Sequence, residues 1–161
     1  MFTDWLRVRC PSAVSLGVAE LPGHELKWDK RSRDGSGKCN VVKTNDARAV
    51  VYGVLYEIPV GEKRALDQAE GLGNGYETKN TEVTFTGAPR MATIYFAIDI
   101  DPYLKPYTWY KAFVVGGAKE HNLPEEYIEL LAEADAMEDP DRERHDKRWQ
   151  QSAVGRSGRQ S

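Results

Sequence analysis

Apolar and polar side chains alternate at short range through most of the first half of the chain. "CPSAVSLGVAEL" alternates small and apolar residues as a strand does, and Pro22-Gly23 then marks a turn. "HELKWDKRS" resumes an extended pattern, "RDGSGK" has the composition of a hairpin tip, and "CNVV" followed by "RAVVYGVLYEI" carries the strongest strand signal in the chain. From Val60 to Glu70 the period lengthens to that of a helix, with Leu66 and Ala69 on one face and Gly71 as the stop. Alternation returns in "YETKNTEVTF", where Thr81, Val83 and Phe85 share a side. The denser run "RMATIYFAI" predicts a strand buried on both faces.

Two helices are predicted after these strands. In "TWYKAFVVGGAKEHN" Tyr110, Val114 and Ala118 recur helically, and in "LPEEYIELLAEADA" Pro124 suits the first turn while Tyr127, Leu130, Leu131 and Ala134 form a stripe. A further short helix is predicted in "DWLRVRC". Beyond Met137 the chain reads "EDPDRERHDKRWQQSAVGRSGRQS", with Trp149 and a few small apolar groups to set against the entropy of ordering. The expected organisation is one mixed α+β domain over residues 1–137 and a flexible charged tail over residues 138–161.

Composition narrows the function classes. At 161 residues, with 40% hydrophobic side chains, the chain can bury one sizeable core, and its formal charge of −3 gives no general attraction to nucleic acid. The two cysteines, Cys10 and Cys39, lie far apart and in no metal-binding or disulfide pattern, which suits a reducing, cytoplasmic setting. No apolar run is long enough to cross a bilayer, and "MFTDWLRVRC" lacks the features of a secretion signal. A cytoplasmic protein that binds neither membrane nor nucleic acid is expected.

Familiar motifs fail on spacing. "GSGKC" is not a phosphate loop, because Cys39 follows Lys38 where Ser or Thr belongs and Ser32 occupies the earlier glycine position. "GLGNGY" follows a helix rather than a strand and ends in Tyr76, against the dinucleotide fingerprint. His24, His121 and His145 fall in no metal-ligand spacing, so no metal site is expected. Lys27, Lys30, Arg31, Arg33 and Lys38 cluster along one hairpin. They read as charge that blunts a sheet edge, the alternative being an anion contact.

Glu70 is the conspicuous polar residue. It stands in the last turn of the predicted helix, where the helix dipole favours cations and repels a carboxylate. An exposed acid could tolerate this. A carboxyl partly removed from water at that end would instead bind its proton more tightly, as a general base working near neutrality requires. Gly71, Gly73 and Gly75 around Asn74 let the backbone fold closely over a bound group, with Tyr76 following.

Taken together, "VVYGVLYEI", "ALDQAEG" followed by Gly75-Tyr76, "ATIYFA" and "GAKEHNLPEEYIELL" resemble the gamma-glutamylcyclotransferase family over about residues 4–133. The resemblance implies a compact β-barrel-like mixed fold with peripheral helices, and cofactor-free release of 5-oxoproline from gamma-glutamyl amines or amino acids. It makes Glu70 the catalytic acid/base. It also implies Tyr95 and Tyr76 as substrate-binding candidates, each with core packing as the competing role.

The family's first strand ends in a Tyr-Gly-Ser-Asn loop that holds the α-amino-acid end of the substrate, with an Arg-x-Pro-x-Ala-like stretch beyond it. Here "RCPSA" is present, but the sequence begins where that loop should just have finished. The expectation is that Met1 is internal to a longer reading frame. The alternative function is a non-catalytic member of the same fold that binds a small ligand or a protein. Self-association into a homodimer through the apolar strands is a further expectation.

Overall fold

The computed structural model describes residues 3–152. Helix α1 (Thr3–Arg7) precedes strands β1 (Val14–Pro22), β2 (His24–Arg31), β3 (Gly37–Lys43) and β4 (Val50–Glu57). Helix α2 (Val60–Glu70) separates these from β5 (Tyr76–Phe85) and β6 (Ala88–Ala97), and α3 (Thr108–Glu120), α4 (Glu125–Glu133) and α5 (Arg142–Gln151) follow. The mixed α+β class expected from the alternating and helical periods is the one observed.

The strands form a four-stranded antiparallel sheet in the order β4-β1-β5-β6 and a separate β2–β3 hairpin. β1 runs against β4 from Val14–Glu57 to Pro22–Val50, with an irregularity between Ser15 and Gly17. β5 and β6 pair from Tyr76–Ala97 to Phe85–Ala88, joined through Thr86 (φ 51°) and Gly87 (φ 78°), the doubly positive turn that suits the twist of a hairpin.

The β2–β3 hairpin lies between the two edges of the larger sheet, with β2 beside β4 and β3 beside β6. It is tied there by individual bonds rather than a continuous ladder. Lys30 forms an isolated bridge to Ile100, Arg31 N–H donates to Asp99 O at 2.9 Å, Asp101 N–H donates to Asp29 O at 2.8 Å, and Ala97 N–H donates to the buried Asn40 Oδ1 at 3.0 Å. The architecture is therefore barrel-like in outline, without a continuous closed ladder.

The main core joins the sheet to α3 and α4. Ala19, Leu21, Val51 and Val83 meet Ala118, Leu123, Tyr127, Ile128 and Leu131, all buried. A second cluster sets Tyr107, Trp109 and Phe113 against Trp5, Tyr110 and Trp149. A third packs Leu66 of α2 against Leu6, Cys10 and Ala13, and burial of the Leu66 side chain is worth about 2 kcal/mol.

Three expectations need correction. β6 is not buried on both faces: it is the edge of the larger sheet, and Met91 is 62% exposed, because the apolar run covers the core on one side only. On α4, Tyr127 and Leu131 face the core, while Leu130 points to solvent.

The third correction concerns the segment expected to be a flexible tail. Residues 138–152 carry α5, capped by Asp141, whose Oδ1 accepts from Arg144 N–H at 3.0 Å. Polar contacts order it where apolar ones are scarce. Buried Asp139 takes bonds from Trp109 Nε1 at 2.9 Å and from Arg144 Nε and Nη2 at 2.6 Å each, and the Arg148 guanidinium lies 4.9 Å from the Trp5 ring centre. The remainder of the expected tail, residues 153–161, lies outside the described residues.

Candidate active site

Helix α2 is fixed at its start from the N-terminal segment. Cys10 Sγ donates to Glu62 O at 3.7 Å, Ser12 N–H donates to Glu62 Oε2 at 3.1 Å, and Leu66 anchors the next turn in its apolar cluster. The far end is closed by backbone. Gly71 takes a left-handed conformation (φ 74°), its N–H donates to Gln68 O at 3.2 Å, and Leu72 N–H donates to Asp67 O at 2.9 Å, the pairing of a Schellman motif. The helix end thus needs nothing from the Glu70 side chain.

That side chain lines a cavity of about 450 Å³. Arg9, Lys30, Lys38 and Tyr76 are also on its wall, and Trp5, Tyr52, Val54, Trp109, Tyr110 and Phe113 make much of the rest apolar. Glu70 is partly buried, and among the described residues its carboxylate accepts no hydrogen bond and forms no ion pair. Burial raises its pKa above the ordinary carboxyl value, while the charges of Arg9 and Lys30 pull it down without cancelling the rise. The result is a carboxyl beside open space that holds its proton more tightly than one in water.

Tyr76 lines the same cavity, and its hydroxyl donates to Cys39 O at 2.8 Å. Burial, then the neighbouring Cys39 and Glu70, raise its pKa, so it stays a neutral donor. Burial also pushes the Cys39 thiol up to about 11, which leaves little thiolate for nucleophilic work.

Tyr95 is placed differently. Its hydroxyl donates to Asp67 Oδ1 at 2.5 Å, and Asp67 also takes Lys63 Nζ at 2.7 Å. Tyr95 is not on the cavity wall; its ring meets the edge of Tyr76 at 6.5 Å between centres. The structure brings Glu70 and Tyr76 together, with Tyr95 behind Tyr76.

Sequence reasoning gave no site role to Arg9 or to the aromatic wall of Trp5, Trp109 and Tyr110. Arg9 had a signal, since it opens the "RCPSA" block. Lys30 was visible only as one of the hairpin cations. Most of the others have partners: Lys27 pairs with Glu25, Arg31 with Asp99 and Asp101, and Lys38 with Asp34. Lys30 instead crosses the face of Tyr76, its ammonium 4.9 Å from the ring centre. It occupies the space that a side chain on Gly75 would need: a Cβ there would stand 2.9 Å from Lys30 Cε. Among the described residues, no group of three or more His, Cys, Asp or Glu could hold a metal ion, and no helix is long and apolar enough to cross a membrane.

Residues 50–131, which include α2, Glu70 and the strands around them, match the model of the AIG2-like family. The chain belongs to the AIG2-like family. Its fold is similar to that of a solved structure described as gamma-glutamyl cyclotransferase, with a TM-score of 0.80 and 24% identity over 91% of each chain. It also resembles an uncharacterized protein from Homo sapiens (TM-score 0.76, 25% identity, 84% of this chain and 82% of that one). YkqA from Bacillus subtilis shares the fold at 17% identity (TM-score 0.69), over 83% of this chain and 49% of YkqA. The comparison with curated proteins found no match. The expected likeness to the gamma-glutamylcyclotransferase fold is thus borne out for this AIG2-like chain.

Proposed function

We propose that this protein is a gamma-glutamylcyclotransferase-type enzyme that releases 5-oxoproline from a gamma-glutamyl amine or amino acid. The observation that carries the reading is Glu70, a partly buried carboxyl of raised pKa that faces a cavity and accepts no hydrogen bond among the described residues. A carboxylate that only stabilised the fold would be paired. One left unpaired beside a cavity can exchange its proton with a ligand.

The substrate supplies both reacting groups. Glu70 takes a proton from the α-ammonium, and the freed amine attacks the γ-carbonyl carbon, forming the ring C–N bond. Glu70 then returns that proton to the departing nitrogen as the original amide bond breaks, and the ring nitrogen releases its second proton to solvent or to the departing amine, so the products are 5-oxoproline and the free amine or its ammonium form. Because the reaction is intramolecular, much of the barrier is met by holding the glutamyl chain bent. The confined cavity and its aromatic wall suit that task. Tyr76 is the nearer of the two tyrosines to this chemistry, and Tyr95 acts through it.

The test is 5-oxoproline release from a panel of gamma-glutamyl amino acids and amines by the native chain and by Glu70→Gln. Turnover by the native chain and its loss in the variant are expected. No 5-oxoproline from any compound would overturn the catalytic reading in favour of a binding role, and equal turnover in the variant would remove Glu70 from the mechanism.

A further inference from the structure

Three basic residues line the cavity, and they differ in how their charge is met. Lys38 is ion-paired with Asp34 at 3.0 Å, hydrogen-bonded to Ser36 Oγ at 2.9 Å, and lies over the rings of Trp109 and Tyr110 at 4.5 and 4.4 Å. Its charge is spent within the protein. Arg9 and Lys30 are not held in that way. Among the described residues neither forms an ion pair; Arg9 Nη1 donates only to Trp5 O at 3.1 Å and its guanidinium stacks 5.2 Å from the Trp5 ring centre, while Lys30 rests on Tyr76. Both charges act on Glu70, yet neither comes within ion-pair reach of it.

Two partly buried cations without an anion, on the wall of an apolar cavity, are costly unless a ligand completes them. A guanidinium and an ammonium suit a carboxylate, and charge-assisted bonds to one are the stronger kind. Apolar and aromatic side chains, Tyr52, Val54 and Phe113 among them, make up much of the remaining wall.

We propose that Arg9 and Lys30 form a carboxylate-binding pair for the substrate, on the wall of a cavity whose apolar remainder suits an apolar departing group. This rests on the cyclotransferase reading for the identity of the ligand, but the cationic pair can be tested apart from catalysis. The carboxylate has two possible sources, the α-carboxylate of the glutamyl group or that of a departing amino acid. A side chain at Gly75 would press on Lys30, since a Cβ there would stand 2.9 Å from its Cε and 3.0 Å from its Nζ.

Calorimetric titration of the full chain with gamma-glutamyl-leucine, gamma-glutamyl-isoamylamine and N-acetylleucine tests this. Lys30→Ala and Arg9→Ala should each weaken gamma-glutamyl-leucine by about tenfold, and Lys30→Arg should retain most of the affinity. Equal weakening of the isoamylamine compound assigns the pair to the α-carboxylate. Weakening confined to gamma-glutamyl-leucine and N-acetylleucine assigns it to the departing acid. Unchanged affinity for gamma-glutamyl-leucine in the Arg9→Ala, Lys30→Ala double variant would overturn the proposal. Release of 5-oxoproline is read separately, so carboxylate binding without product would sink the catalytic reading and spare the pair, and product with no effect of the double variant would do the reverse.

Discussion

Two carboxyl groups of this protein are withdrawn from water to different degrees and are treated in opposite ways. Asp139 is buried to 4% exposure and receives bonds from the Trp109 indole, from two nitrogens of Arg144 and from Asp141 N–H. Burial alone would raise its pKa, but those bonds outweigh it and hold the group below the ordinary carboxylate range. Glu70 has lost part of its water as well, yet among the described residues no donor has replaced that water, and its pKa is raised. One acid is fastened and ionised, and it docks α5 onto the aromatic cluster. The other holds its proton more tightly than a carboxyl in water and lines a cavity. A fastened carboxylate and the one proposed to be reactive are told apart here by the donors around them rather than by burial.

The sharpest way to break the comparison is to remove each acid in turn. Glu70→Gln should lower 5-oxoproline formation by roughly two to four orders of magnitude, the usual contribution of a general acid/base, with the circular dichroism spectrum unchanged. Asp139→Ala should do the opposite. It strands Arg144 and the Trp109 indole and should cost about 3–5 kcal/mol in urea unfolding, while any turnover left in the folded fraction stays near native. If Asp139→Ala were harmless, the fastening of α5 would have to lie elsewhere.

Much smaller is the expected effect of Tyr76→Phe. The hydroxyl gives one bond to a main-chain oxygen, so its loss should cost about 1 kcal/mol in the same unfolding experiment. The ring that supports Lys30 remains, so gamma-glutamyl-leucine should bind the variant nearly as well as the native chain. Tyr95→Phe tests a different link: it releases Asp67 to Lys63 alone and should leave the cavity wall in place.

How far these roles could be read from sequence follows from their range along the chain. The strands and helices were legible because each rests on local period: "RAVVYGVLYEI" is β4, and the run from Val60 to Gly71 is α2 with its left-handed stop. Glu70 stood out for the same reason, since an acid in a last helical turn is a local anomaly. The fastening of α5 was not legible. Asp139 and Arg144 look like any solvated charges until Trp109, thirty positions earlier by the bond separation, is brought against them. The same holds for Lys30, which one charged hairpin offered as surface decoration. Its approach to Tyr76 and Gly75 depends on how the β2–β3 hairpin is set between β4 and β6, a long-range arrangement that no window of sequence contains.

The smallest effect is also the most diagnostic, because it concerns stability rather than rate. A carboxyl whose pKa is raised by folding keeps its proton in the native state at pH values where the unfolded chain has already released it. Below the ordinary value of 4.5 both states are protonated and Glu70 costs nothing; as pH rises through and beyond that value the unfolded state gains by ionising first, and native stability falls. Glu70→Gln removes this penalty. The variant should therefore unfold at a slightly higher temperature than the native chain at pH 7, with the advantage fading toward pH 4. Arg9 and Lys30 oppose the rise, so Lys30→Ala should move the acid limb of kcat/KM to higher pH, against the downward pull that its ammonium now exerts on Glu70. Tyr76, Tyr95 and Cys39 stay neutral across this range because burial raises each of them, and they leave the limb to Glu70. A melting temperature that Glu70→Gln left unchanged at pH 7 would mean that the native Glu70 carboxyl is as well solvated as the unfolded one, and the contrast with Asp139 would then be one of structure without a difference in energy.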